Sequence, residues 1–527
     1  MARKWLFLTA ALMALAPAAA RAEWKEATST HFQVYSEGSE EQLREFATKL
    51  EKFNYVLRFY HKVTAPPSPI KLKVYLMPSI PAVGKMFGSE DVAGYYVPDA
   101  RGLMMVGTRT GAARGSDIRT SREEAEFDSE SILLHEYAHH FMFQYFPATY
   151  PTWYSEGFAE LWGATRFLPN NVVEVGRPAS YRFGSFFENR WLPVSKLLTA
   201  QSYRDVPELD LLYAEGWLLV RLAFEKPERS RQLQAYLTAI NAGATYEQAM
   251  KQGFGNVESL NSELSQYAGR SRFNVLQLPF KPIPVGNMAV RRVSPAEDAL
   301  MTYSIKFGQG ILQSEAAEFA GKVRDIAARF PNDAHALNVL AEAERLAGKY
   351  DAANAALDKL LAIAPNDPRG LMQKGIVAVA GLKAAASTDK KAWDAARAYL
   401  VRAAKFAPKD PLILAAFHDS YRSQGVLPPD AAQNALYEAM ELAPSDDDLR
   451  YRVAADFEQR GMLEEAVAII RPLALTLPSK ESDKQRRERL KLEDKYRGAG
   501  REKRETARDM FVRLQRKLAD RNEAKAG

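Results

Sequence analysis

The sequence predicts two folded parts in series: an α+β domain, then an all-α superhelix of paired helices. Two periodicities point to this. The first hundred residues alternate strand-like and helix-like apolar patterns. Beyond about residue 300, similar phrases close on Pro331, Pro365, Pro408, Pro444 and Pro478, at steps of 34, 43, 36 and 34 residues. Composition sets the frame. The chain has 527 residues, 47% hydrophobic and 26% charged, which suits about three globular domains. Wholesale disorder, collagen-like repeats and a multi-span membrane protein are excluded. There are no cysteines, so disulfides, cysteine–zinc fingers, iron–sulfur ligation and thiol nucleophiles are excluded too. A metal ion would have to be held by His, Asp or Glu.

The elements follow in order. Arg3 and Lys4 precede a short apolar run from Trp5 to Ala16, and Ala20-Arg21-Ala22 is a small-x-small cleavage site. Residues 1–22 therefore form the three-part layout of an export signal, with an uncleaved anchor as the alternative. The run is shorter than the ~20 residues of a spanning helix, and no other segment is long and apolar enough. The expected destination is the bacterial periplasm, or secretion otherwise. The formal charge of +6 belongs to the ends: +3 in residues 1–22 and +7 in 479–527, leaving −4 for the body. A basic pI is thus no sign of nucleic-acid binding, and no nucleic-acid partner is expected.

The α+β domain spans 23–272. Residues 31–36 form a strand, Glu40 to His61 a helix, and Ile70 to Met77 a strand with Leu72, Val74 and Leu76 on one face. Gly94 to Val97 and Leu103 to Gly107 form a hairpin, and mainly helices follow from Glu123 to about 270. Residues 273–296, holding Pro279, Pro282, Pro284 and Pro295, are expected as a Pro-rich linker. Ser294-Pro295-Ala296-Glu297 then carries the start signal of a helix.

Residues 297–478 repeat. Ala353, Ala396, Ala432 and Ala466 each lie 12 residues before a closing proline, and Leu357, Leu400, Leu436 and Ile470 lie eight before it. Small residues there let paired helices approach, and large ones fill the layer between. The segment resembles tetratricopeptide (TPR) repeats: four, plus a degenerate one with Phe319 at the small position and Ala320 beside it, and an insert over Lys383 to Lys391. The resemblance implies a superhelix with a concave face that takes a protein partner. Residues 479–527 are expected as a charged basic tail, solvated and partly helical, with Met510, Phe511, Leu514 and Leu518 on one short amphipathic helix.

The chemistry-bearing segment is 131–140, Ser-Ile-Leu-Leu-His-Glu-Tyr-Ala-His-His. His135 and His139 are four apart, so a helix puts both imidazoles on one face, within reach of one ion. Glu136 follows the first, where its carboxylate reaches a metal-bound water. This is the zincin pattern, His-Glu-x-x-His. A catalytic zinc needs a third protein ligand. Residues 151–160, Pro-Thr-Trp-Tyr-Ser-Glu-Gly-Phe-Ala-Glu, resemble the phrase that carries this ligand in the gluzincin peptidases, the group of thermolysin and aminopeptidase N. The resemblance implies Glu156 as third ligand. Gly157 and Ala159 are expected to let its helix pack close to the motif helix. It implies Glu160 as the acidic partner of a ligand histidine, with a surface charge as the alternative. Residues 212–221 resemble the aminopeptidase phrase whose tyrosine stabilises the oxyanion. That implies Tyr213, with a locally bonded core tyrosine as the alternative. Glu215 stands where that family has lysine. The family's Gly-x-Met-Glu-Asn phrase is missing, which argues against strict exopeptidase action. The Leu103 to Gly107 strand is expected as the edge along which an extended peptide lies. The opening strand–helix–strand order is similar to the smaller peptidase MA-like bacterial domains. His31, His61, His335 and His418 are read as packing or surface residues, and His140 is left outside the metal sphere.

The expectation is therefore a zincin-like α+β domain and a tetratricopeptide superhelix, acting as an exported zinc (Zn2+) metallopeptidase, in the main an endopeptidase. His135, His139 and Glu156 would hold the metal, Glu136 would serve as base, and Tyr213 would steady the oxyanion. The substrate would be a peptide or protein. The alternative is a non-catalytic scaffold whose repeats do the work and whose metal set is latent.

Overall fold

The computed structural model describes residues 23–89, 92–109, 122–177, 191–201, 203–206, 208–269, 273, 275–475, 498 and 505–526, without the side chains of 122–128, 204, 475 and 525–526. The export signal expected over 1–22 lies outside the described residues. Among the described residues no helix is long and apolar enough to cross a membrane.

The chain opens with β1 (Lys25–Thr28), β2 (Phe32–Ser36), α1 (Glu40–Tyr60), β3 (Leu72–Met77), α2 (Ile80–Phe87), β4 (Gly94–Val97) and β5 (Met104–Thr108). With β9 (Ala289–Arg292) these strands form a sheet in the order β4-β5-β3-β2-β1-β9. β2, β3 and β5 run parallel, and Val34, Val74 and Met105 lie side by side. Alternation along β3 sorts the two faces. Leu72, Val74 and Leu76 enter the main core with α1 and Leu133, whereas Tyr75 and Met77 meet Val83, Met86, Met301 and Ile305 on the other side. Ser39 opens α1 with a capping box to Gln42.

Two expectations change here. The 103–107 strand is not an edge: β5 lies between β3 and β4, and β4 is the edge. Hairpin patterning fixes that two strands pair, but not which one ends the sheet. The 273–296 segment is more than a linker. Its β8 (Leu276–Pro279) pairs with β7 (Val172–Val175), and its β9 pairs with β1. Pro279 is tolerated because β8 is the outer strand of the three-stranded sheet that also holds β6 (Arg166–Leu168).

Helices complete this domain: α3 (Arg122–Tyr145), α4 (Thr152–Gly163), α5 (Val194–Thr199), α6 (Leu209–Glu225), α7 (Pro227–Asn241), α8 (Tyr246–Phe254) and α9 (Val257–Ala268). The repeat segment follows as five helix pairs among the described residues. They are α10 (Pro295–Gln309) with α11 (Ala316–Ala327), α12 (Ala334–Leu346) with α13 (Tyr350–Ile363), α14 (Pro368–Ala384) with α15 (Lys390–Phe406), α16 (Pro411–Gln424) with α17 (Asp430–Leu442), and α18 (Asp447–Gln459) with α19 (Leu463–Leu475). The repeat positions Ala353, Ala396, Ala432, Ala466, Leu357, Leu400, Leu436 and Ile470 are all buried. The expected insert lies at the junction of the third pair, whose helices each run to 17 residues with 385–389 between them. The tail also differs from expectation. Residues 507–526 form α20 (Ala507–Ala526), which buries Ala507, Met510 and Leu514 against Ala466, Val467 and Ile470. Arg513 and Lys517 pair with Glu458 alongside. Apolar residues spaced three to four apart are enough to dock a segment otherwise dense in charge.

Candidate metal centre

α3 and α4 meet near the middle of the main core. Two close approaches fix their placement. A Cβ on Gly163 would lie 2.9 Å from the Cβ of His135, so the end of α4 can touch α3 at the first histidine only without a side chain. A Cβ on Gly157 would lie 2.3 Å from the carbonyl oxygen of Gly216, which presses α4 onto α6. The sequence reading turns Gly157 toward α3; the residue on that face is Gly163. Trp153 and Trp162 fill the space on either side and are wholly buried.

One turn of helix separates His135 and His139, and their Nε2 atoms lie 3.1 Å apart. Glu156 Oε2 lies 3.2 Å from the first and 3.4 Å from the second. A zinc ion with bonds of 2.0–2.1 Å and tetrahedral angles spaces its ligand atoms about 3.3 Å apart. The three donors thus already mark one face of such a tetrahedron. Glu156 Oε2 is also buried without a hydrogen bond. A buried carboxylate oxygen left so is costly unless a cation faces it. Among the described residues this trio is the group whose donor atoms converge for an ion, all within 4.8 Å. The residues therefore fit a zinc ion.

The surroundings hold the donors in place. Ser155 Oγ lies 3.2 Å from His139 Nδ1, which suits a proton on Nδ1 and a lone pair on Nε2. The Tyr203 hydroxyl donates to Glu156 Oε1 and leaves Oε2 to the histidines. Glu160 Oε1 lies 3.6 Å from His135 Nδ1, in ion-pair range but beyond a hydrogen bond. Glu136 projects from the same turn of α3, and β4 packs beside it: a Cβ on Gly94 would lie 3.7 Å from Glu136 Cγ.

Electrostatics couple the cluster. Burial raises Glu136 above the ordinary carboxylate range, an effect His135 and His139 partly offset. For Glu156 burial also acts upward, but the two imidazoles overcome it and hold the carboxylate far below its usual range. Burial would lower His135, yet Glu156, Glu160 and Glu136 together raise it to about 9. Glu156 and His135 thus stabilise each other's charge, whereas a divalent ion would stabilise Glu156 alone, since a metal-bound imidazole is neutral.

The structure brings His135, Glu136, His139, Glu156 and Glu160 together. Tyr213 stands one layer out: its ring is 6.5 Å from that of His135 and stacks on Tyr203 at 6.4 Å. The phenol that touches the ligand set is Tyr203. Sequence reasoning singles out neither Tyr203 nor Ser155. Ser155 stands inside the ligand phrase, but nothing in its spacing marks it; Tyr203 arrives on a short turn, Tyr203–Asp205, with no motif at all. His140 turns away, with Nδ1 3.1 Å from the Tyr96 hydroxyl, and burial lowers it to about 3. His31 pairs with Glu51, His61 lies among Phe141, Phe158 and Trp162, and His418 is enclosed between Asp419 and Asp456.

No family model matches the chain, and no curated protein matches it. Among solved structures the chain is similar to a thermophilic TPR protein of Thermus thermophilus. The identity is 20% and the TM-score 0.30, over 37% of this chain and 96% of that one. It is also similar to MamA of Desulfovibrio magneticus, at 18% identity and a TM-score of 0.25, over 33% and 90%. A third is pilF of Pseudomonas aeruginosa, at 15% and 0.28, over 42% and 90%.

Proposed function

We propose that this chain is a zinc-dependent peptidase whose helical repeats bind a protein partner or substrate. The observation that carries the reading is the convergence of His135 Nε2, His139 Nε2 and Glu156 Oε2, with Glu136 one residue from the first ligand. Zinc held there supplies Lewis-acid polarisation of a carbonyl and activation of water. Glu136, half-buried beside β4, would accept the proton of the attacking water and hand it to the leaving amine. Tyr203 fixes the direction of Glu156, and Ser155 fixes the ring of His139. Tyr213, stacked on Tyr203 beside His135, is the proposed donor to the developing oxyanion. Export to the periplasm is part of the proposal and rests on the layout of residues 1–22.

A second reading keeps the repeats as the working part and makes the metal set structural or latent. Nothing compared speaks for hydrolysis. What weighs against it is Glu136, since a purely structural site has no use for a carboxylate beside its ligand.

The test is incubation of the zinc-loaded protein with a mixed peptide library, beside Glu136→Gln, read by mass spectrometry. Internal cuts that vanish in the variant are expected. Zinc uptake by both proteins with no cut by either would leave the second reading standing.

A further inference from the structure

The edge strand β4 and the turn after it are gripped by the repeat array at two places. At the near end, Gln309 Nε2 donates to the Tyr95 hydroxyl at 2.6 Å, on the last turn of α10. Gly308 and Gly102 touch so closely that a Cβ on Gly102 would lie 2.3 Å from Gly308 Cα. The fourth and fifth pairs reach the same turn through the connection between α17 and α18. There Asp446 Oδ2 accepts the Ala100 N–H at 2.8 Å, and Ser445 Oγ lies 3.2 Å from the Tyr96 hydroxyl. Ala100 packs against the apolar cluster of α16 to α18. Asp446 is buried, and its other oxygen caps α18 through the N–H groups of Asp448 and Leu449.

The strand held in this way also touches the candidate site. Gly94 of β4 packs onto α3 between Ile132 and Glu136, where an added Cβ would lie 2.5 Å from Ile132 Cγ2 and 3.7 Å from Glu136 Cγ, and the Tyr96 hydroxyl lies 3.1 Å from His140 Nδ1 on the next turn. A short path of contacts thus runs from Ser445 and Asp446 in the repeats, through Ala100 and Tyr96, to the turns of α3 that carry Glu136 and His140.

We propose that the repeat array is a positioning element for the site: its 445–446 connection holds β4, and β4, through Gly94 and Tyr96, holds the turns of α3 that carry Glu136. The proposal rests on the peptidase reading and adds a route of regulation to it. A protein that engages the α17–α18 connection changes the setting of Glu136 without touching a metal ligand. Tyr96, Ser445 and Asp446 are positioning residues in this scheme.

The test uses the full chain with Ser445→Ala and Asp446→Asn combined. The asparagine keeps one oxygen for the cap of α18 and offers the Ala100 N–H a donor instead of an acceptor. Amide hydrogen exchange across 94–102 is expected to quicken about tenfold. Zinc affinity is expected to stay within about twofold, and kcat to fall about tenfold with KM nearly unchanged. Unchanged exchange would show that the repeats do not hold the turn and would overturn the proposal. Faster exchange with full kcat would overturn the link from β4 to Glu136. A parent protein that binds no zinc and cuts nothing would sink the peptidase reading and the link with it, while the exchange data would still decide the grip. Tyr96→Phe gives an independent variant. It removes the hydroxyl contacts to Ser445 and His140, keeps the packing of Gly94 beside Glu136, and is expected to lower kcat less than the double substitution.

Discussion

The Tyr203 hydroxyl donates to Glu156 Oε1, and the opposite oxygen of that carboxylate is the one that faces His135 and His139. One phenol thus decides which carboxylate oxygen is presented to a metal. Burial and the Glu156 charge both push the Tyr203 proton to stay on, so the donor role holds across the working pH range. Tyr203→Phe is expected to weaken zinc binding about 10- to 100-fold with the fold kept. Competition with a chelating dye measures it. Unchanged affinity would show that Glu156 needs no such anchor.

How much of this is legible in the sequence differs by residue. His135, Glu136 and His139 are local: four-residue spacing on a helix dictates a shared face. Glu156 is legible through its phrase, because α4 follows α3 after a short connection. Tyr203 is not, since its contact depends on how a turn some 47 residues away folds back. The edge of the sheet escapes the sequence for a similar reason. Alternation in 94–97 and 103–107 marks a hairpin, but strand order is decided by β3 accepting β5 as its parallel neighbour. Strands β8 and β9 are hidden by nearby prolines, which outer strands tolerate. The repeat helices are legible because proline, alanine and leucine recur at fixed offsets.

Gly157→Ala should be among the more damaging small substitutions. The added methyl would meet the Gly216 carbonyl, which is backbone and cannot swing aside. A loss of about 1–3 kcal/mol is expected, with weaker zinc binding because Glu156 is its neighbour. Gly321→Ala is the contrasting case: it sits inside α11 with no atom within 4 Å of an added Cβ. It is expected to stabilise by up to about 1 kcal/mol. Thermal melts of the two variants check the contrast.

Glu215 is wholly buried, accepts the Leu192 N–H at 2.6 Å, and is pushed up to about 8 by burial. The folded chain therefore keeps its proton at pH values where the unfolded chain has lost it. The stability it contributes is complete below about pH 4.5, the unfolded value, and is lost as pH rises toward 8. Glu215→Gln removes this loss, so its stability relative to the parent is expected to grow from pH 5 to pH 8, by at least about 1 kcal/mol. Urea unfolding at several pH values measures it. A constant difference would contradict the buried, protonated Glu215.

α20 is expected to protect the last repeat. Leu514 is wholly buried among Ala466, Val467 and Ile470. Leu514→Ala is expected to cost about 2–5 kcal/mol locally and to expose the 505–526 segment to proteolysis first. Limited trypsin digestion reads this directly. Equal resistance in parent and variant would show that the helix does not depend on that contact.

The central claim is hydrolysis by a metal held between α3 and α4 with Glu136 as base. Its most direct test is a zinc titration of the metal-stripped chain, followed by cleavage of a quenched fluorescent peptide chosen from the library. The account predicts a rate that rises linearly to one equivalent of zinc, and Glu136→Gln that takes up the same zinc with no rate. Full zinc uptake by the parent without cleavage, or equal cleavage by Glu136→Gln, would contradict it.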